Sequence, residues 1–360
     1  VFLVVWEDNR ETSWPYDVYA ARVTPAGRVL DGAGFKVSSS TSIVGSPAVA
    51  SDGRDFLVAW EDWRNHRKGD RRADLYGASV LADGTVAETG IPISTARDYQ
   101  QYVQLAWTGA SYVAVWEDLR SGETGDSADH ADVYATAITR GGAVASPDGV
   151  PVAVGRRDHG AIDVSAAGGD ALVAWTEGCD AWRDEDCRRD VFARRLSARA
   201  RPLGKRIAVA TSPVSESYPA VMAGPRGYHV VWTRAKEGRL ALVGKTLTAG
   251  ARPRVLHRFA GEAFGGAADW VGPYGLLTWA EGNSDFGDGD AMDVYALRLA
   301  ADGRPLDDQP LPVSTDPEPD FEPDVAAGPR GCAVISFGRY YQSTDRGVRS
   351  FSRFLGGCSG

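Results

Sequence analysis

The dominant pattern along the chain is an apolar run that ends in tryptophan and two acids. Phe56–Asp62 reads FLVAWED, Phe2–Asp8 reads FLVVWED and Tyr112–Asp118 reads YVAVWED. Looser copies surround Trp175, Trp232 and Trp279, and Phe337 takes the tryptophan place in a seventh. A run that is apolar at nearly every position suits a strand covered on both faces. A second pattern follows each copy and alternates instead. Tyr19, Ala21 and Val23 point one way and Val18, Ala20 and Arg22 the other, and the pattern recurs at Val133, Val191 and Val294. Ala135, Ala193 and Ala296 hold the small position in those copies. Turns such as Ser51-Asp-Gly-Arg54 and Leu81-Ala-Asp-Gly84 separate the runs, an all-β pattern. No stretch of adequate length carries a helical period.

Counting the runs gives the architecture. Tryptophan-type second strands and alternating third strands each occur seven times. First strands occur six times, near Val49, Val103, Ile162, Val221, Ala268 and Val325. Fourth strands also occur six times, near Val37, Ile93, Val152, Ile207, Val255 and Val313. A self-similar unit of this length is a four-stranded blade. The expected fold is all-β: one seven-bladed β-propeller domain over residues 1–360, built of four-stranded antiparallel blades around one axis. The first blade is expected to lack its first strand and the last its fourth, with the missing pair lying upstream of Val1. The tryptophans should seal blade against blade.

Composition narrows the function classes. A net charge of −9 opposes a general nucleic-acid binder, which needs a basic stripe. No apolar run of about 18 residues predicts a transmembrane helix. Four cysteines allow three pairings. The sequence-local pairing, Cys179 with Cys187 and Cys332 with Cys358, is the one the repeat favours, and disulfides place the protein outside a reducing cytosol.

The motif Trp6-Glu-Asp-Asn-Arg10 with Asp17-Val-Tyr-Ala20 recurs as Trp60–Arg64 with Asp74-Leu-Tyr-Gly77, and as Trp116–Arg120 with Asp132-Val-Tyr-Ala135. It resembles the repeats of secreted bacterial β-propeller proteins. The resemblance implies a fold and an extracellular, cell-surface or periplasmic location, and no particular activity, because propellers host many functions. The Ser-x-Asp-x-Gly-x-x-Trp box of sialidases is absent, as is a complete integrin-type calcium loop.

Comparing the copies isolates candidate chemistry. A carboxylate stands two residues after the tryptophan in five blades, as Asp8, Asp62, Asp118, Glu177 and Glu281. The same five blades open their third strand with Asp17, Asp74, Asp132, Asp190 or Asp293, whereas blades five and seven lose both acids together. Joint gain and loss predicts a shared cation, since adjacent carboxylates repel. Arg10, Arg64 and Arg120 are expected to bridge both acids in blades one to three. Blade six offers no basic residue from Glu281 to Asp293. Glu281, Asp285, Asp288, Asp290 and Asp293 there are the candidate ligands of a Ca²⁺ ion, a hard cation that takes oxygen donors.

Aromatic residues collect on the loops between second and third strands: Trp14, Trp63, Trp182, Phe286, Tyr340 and Tyr341. Tyr99, Tyr102, Tyr218 and Phe321 add to them from the blade connections. Rings among Asp, Asn and Arg suit a sugar-binding face. Catalysis has little support, because the five histidines form no metalloprotease spacing and His229 sits in a buried-type strand. The functional expectation is a secreted binding propeller that presents loops to a glycan or a protein. A polysaccharide-acting enzyme and a structural subunit of a surface assembly are the alternatives.

Overall fold

The computed structural model describes residues 1–10, 16–38, 40–66, 72–121, 130–179, 187–282, 292–341 and 347–358. Trp14, Trp182, Phe286, Asp285, Asp288 and Asp290 lie outside these residues. Within them the chain forms 26 strands and one short 3-10 turn, Pro329–Gly331. The strands make seven antiparallel sheets, each pairing its strands in sequence order. The fold is a seven-bladed β-propeller whose first and last blades have three strands, as the repeat count predicts. Blade one starts at its second strand, Phe2–Asp8, and blade seven stops at its third, Gly347–Leu355. Both local disulfides are formed, Cys179–Cys187 and Cys332–Cys358. No helix among the described residues is long and apolar enough to cross a membrane.

The chain divides into two compact units. One holds blades one to three and most of blade four, and the other holds blades five to seven. In the first, the second strand of blade two (Phe56–Asp62) is buried along its whole length. Its residues still alternate. Phe56, Val58 and Trp60 pack with Leu3, Val18 and Ala20 of blade one. Leu57 and Ala59 pack with Tyr112, Ala114 and Trp116 of blade three. An unbroken apolar run therefore serves two cores at once. In the second unit the same logic joins Met222, Val231 and Leu242 to Leu277, Trp279 and Leu297.

The tryptophan, the acid two residues on and the third-strand ring form a column on one face. Trp6, Trp60 and Trp116 donate their indole N–H groups to Asp8, Asp62 and Asp118. Arg10, Arg64 and Arg120 pair with those same aspartates. Each guanidinium lies over the third-strand tyrosine, at 4.3 Å for Tyr19, 3.9 Å for Tyr76 and 4.2 Å for Tyr134.

This geometry corrects the expected clamp. The two acids of a blade do face each other, as the Asp62–Asp74 and Asp118–Asp132 partners show, but the arginine does not bridge them. Folded back over the tyrosine, it pairs with the second-strand acid, and Arg10 and Arg120 also donate to the Ala33 and Asp148 carbonyl oxygens. The third-strand acids have partners of their own. Asp17 takes Lys36 at 2.7 Å, Asp74 takes Arg72 at 3.0 Å, and Asp132 lies 3.4 Å from His159. Blade four rebuilds the column from another strand: Arg206 pairs with Glu177 and lies 4.2 Å over Phe192.

Blades five and seven invert the charges. Arg234 and Arg339 replace the second-strand acid, and the acid moves to the first strand opposite, as Glu216 and Asp320. Arg339 is buried and gives Asp320 two hydrogen bonds, of 2.7 and 3.0 Å, with Asp316 and Ser314 completing its set. Removing one member of a buried pair strands the other charge, at a cost of about 3–5 kcal/mol. Arg339→Met should lower unfolding free energy by that order in urea denaturation, and adding Asp320→Asn should recover part of the loss. Full stability in the single variant would show that the pair is not needed.

Candidate functional site

A β-bulge recurs where the first strand passes the tryptophan. In blade two Gly45 pairs with Glu61 and Ala48 with Ala59, so Ser46 and Pro47 share the place opposite Trp60. The same step sets Tyr102 and Val103 opposite Trp116, and Ala161 and Ile162 opposite Trp175. Ser46, Tyr102 and Ala161 adopt φ values of 48°, 52° and 48°. Such backbone costs a non-glycine residue on the order of 1–3 kcal/mol, and the surroundings must hold it there.

The holder is the acid between tryptophan and aspartate. Adjacent strand residues face opposite ways, so Glu7, Glu61 and Glu117 point away from the aspartate column toward the following blade. Glu7 accepts a hydrogen bond from the Ser46 amide at 2.6 Å. Glu61 accepts from the Tyr102 amide at 2.9 Å, and Glu117 from the Ala161 amide at 2.7 Å. Gly45 and Gly160 make room for this approach. A Cβ there would stand 3.3 Å from a Glu7 oxygen and 3.2 Å from a Glu117 oxygen.

The result is a row of three straps in the first unit, with one aromatic ring standing clear of it. Tyr102 is 53% exposed, although its amide is tied to Glu61. Its neighbour Gln101 donates to Glu117 at 3.3 Å. Burial pushes the Glu61 carboxyl up, against the Tyr102 amide and the Ser46 hydroxyl, and the charge of Glu7 adds to the rise. Burial likewise drives Glu117 up to about 7, against the hydrogen bonds from Gln101 and the Ala161 amide, and the charges of Asp158 and Glu61 add to the rise. The row offers an exposed ring on a tethered backbone and an amide side chain, above a buried carboxyl that is neutral in weak acid.

Of the sequence-predicted aromatics, Trp63 lies beside the row, its ring 4.0 Å from where a Cβ on Gly45 would stand. Tyr340 and Tyr341 belong to the second unit, and Trp14, Trp182 and Phe286 lie outside the described residues. Trp63 directly follows the second strand of blade two and is half-buried. Tyr340 and Tyr341 end the second strand of blade seven, and Tyr341 packs with Phe351 and under Arg349. In blade six Glu281 has a partner that the local sequence does not reveal. His257 Nε2 lies 3.0 Å from it, and the Ala260 amide donates to it at 2.8 Å. Burial raises the Asp293 carboxyl, against a hydrogen bond from Tyr295. The expected calcium ligands Asp285, Asp288 and Asp290 are outside the described residues. Among the described residues no group of three or more His, Cys, Asp or Glu side chains could hold a metal. Sequence reasoning missed the strap glutamates, although one signal was present: the acid after tryptophan occurs only in blades one to three.

No protein-family model and no curated protein sequence matches the chain. Among solved structures, a protein of unknown function from Dyadobacter fermentans is similar at 12% identity and TM-score 0.57, covering 86% of this chain and 94% of that one. An α-L-arabinanase from Penicillium chrysogenum, complexed with arabinobiose, is similar at 13% identity and TM-score 0.51, covering 86% and 93%. An α-L-arabinofuranosidase from Fusarium graminearum, in complex with an iminosugar inhibitor, is similar at 11% identity and TM-score 0.51, covering 86% and 92%. At these identities the likeness is one of fold.

The strap row carries a pH dependence. Glu117 is ordinarily a group of pKa 4.5 and here titrates at about 7. Between those values the folded protein keeps a proton that the unfolded chain has released, so stability falls as pH rises through that window. Glu117→Gln keeps the neutral shape, with an amide that can still face Gln101. It should match the parent near pH 4 and exceed it above pH 7, by on the order of 3 kcal/mol. Urea denaturation at the two pH values measures this, and a difference that does not change with pH would contradict it.

Proposed function

We propose that the protein is a glycan-binding propeller whose contact face in the first unit is the bulge row, with Tyr102 as the stacking platform. The observation that carries this reading is an exposed aromatic ring on a bulge whose backbone is fixed by a buried acid. A ring held this way loses little conformational freedom on contact, which favours binding. Gln101, half-buried beside the ring, supplies a hydrogen-bonding amide of the kind a sugar needs beside its apolar face. The two disulfides support an oxidising compartment. Arabinose-processing enzymes of the same fold, one complexed with arabinobiose and one with an iminosugar, are in keeping with a sugar ligand.

One observation favours the enzymatic alternative. Glu117, titrating at about 7 beside the charges of Glu61 and Asp158, has the protonation that a glycosidase acid needs near neutral pH. The two readings differ in product.

Affinity electrophoresis against arabinan and other plant and bacterial polysaccharides tests the binding reading. Retardation by at least one polysaccharide is expected. Tyr102→Ala should weaken it about tenfold, and Tyr102→Phe should keep it. Retardation that survives Tyr102→Ala would remove the site from this face, and the absence of any retardation would remove the glycan. Release of reducing ends, abolished by Glu117→Gln, would replace binding by hydrolysis.

A further inference from the structure

The second unit contains a cavity that the bulge row does not involve. It lies where the third strand of blade five (Arg239–Thr246) turns toward the fourth (Arg254–Arg258), beside the Asp302–Gly303 turn of blade six. Its volume is about 240 Å³, and its polar lining is His229, Lys245, Thr246, Arg252, Arg254 and Asp302. Val231 and Leu299 give it an apolar side.

The charge around this cavity is not balanced from within. Most arginines named above lie against a carboxylate. Arg252 and Arg254 have no such partner among the described residues, and both are exposed. Lys245 lies 3.5 Å from the Val209 carbonyl oxygen, a neutral acceptor. The single acid of the lining, Asp302, is already taken by Arg304 at 2.6 Å. Three cations thus line one small concavity whose only carboxylate is engaged elsewhere.

The wall behind them is polar and rigid. His229 is 2% exposed, stacks on Trp270 at 5.6 Å and lies 3.0 Å from the Thr246 hydroxyl through Nδ1. Among the described residues its Nε2 has no hydrogen-bond partner. Burial lowers its pKa, so the ring stays neutral and adds no further cation to the wall. A buried polar atom without a partner is uncommon in a folded protein and marks a place where a partner is wanted.

We propose that this cavity binds a small oxyanion-bearing molecule of about monosaccharide size, gripped by Lys245, Arg252 and Arg254 with its apolar face against Val231 and Leu299. Guanidinium groups suit this task because their paired N–H groups match two oxygens of one carboxylate or phosphate. The proposal rests on the second unit alone and does not depend on the glycan reading.

Isothermal titration of the whole chain at low salt tests it, with glucuronate and glucose 6-phosphate as the two oxyanion probes. Glucose and inorganic phosphate serve as controls for the sugar and for the charge. At least one oxyanion sugar should bind, and the stronger of the two identifies carboxylate or phosphate as the preferred group. Glucose should give no signal. The double variant R252S/R254S, altered only at exposed positions, should fold with unchanged circular dichroism and bind at least about tenfold more weakly. No binding of either sugar at millimolar concentration would overturn the proposal. So would binding that the double variant leaves intact, or binding that inorganic phosphate alone equals.

Discussion

Burying a large indole at the same place in nearly every second strand dictates what surrounds it. Trp60, Trp116, Trp175 and Trp232 are completely enclosed, and an enclosed indole still carries one N–H that needs an acceptor. In blades one to three the aspartate two residues on supplies it. That aspartate, buried in blades two and three and part-buried in blade one, then needs a cation, and the cation needs a surface to lie on, which is the third-strand tyrosine. The first strand meanwhile bulges as it passes the indole, and this fixes where backbone amides are released. One packing decision thus propagates through four residues on one face and a strap on the other.

The blades show how far that chain of dependence can be edited. Blade four keeps the ring and the acid but brings its arginine from the fourth strand. Blades five and seven exchange the signs of the charges between first and second strand. What persists in blades one to five and seven is that the charge two residues after the tryptophan place has an opposite charge beside it, because an unpaired one is costly in a low-dielectric interior. Position and sign are free within that condition. Among the described residues two buried indole N–H groups have no acceptor, that of Trp232, whose second neighbour is Arg234, and that of Trp175, although Glu177 stands two residues on.

Most of the fold was legible in the sequence. Apolar runs, alternating runs and Gly-Asp turns give the strand count, the order and the two short blades, because period and punctuation report local backbone geometry directly. The pairing of acids across each hairpin was also legible, from their joint loss in blades five and seven. Their partners were not. Lys36, His159, Arg206 and His257 reach the acids from other strands or other blades, at separations that no local motif encodes. The bulge was hidden for a related reason. Ser46, Tyr102 and Ala161 share a backbone conformation without sharing a side chain, so comparing letters passes over them. Tyr102 itself drew notice as a connection aromatic, but the structure sets it inside a first strand.

The straps also carry a timetable. Within a blade every strand pairs with its neighbour in sequence, so a blade can close soon after its own residues leave the ribosome. A strap cannot. Glu117 meets the amide of Ala161 across 44 residues, and Glu61 meets that of Tyr102 across 41. During synthesis each of these acids therefore stays solvated and ionised until the first strand of the next blade has emerged. Docking of that strand then removes the carboxylate from water and, for Glu117 below neutral pH, adds a proton. Closing the blade-three strap is thereby coupled to protonation of Glu117 below neutral pH.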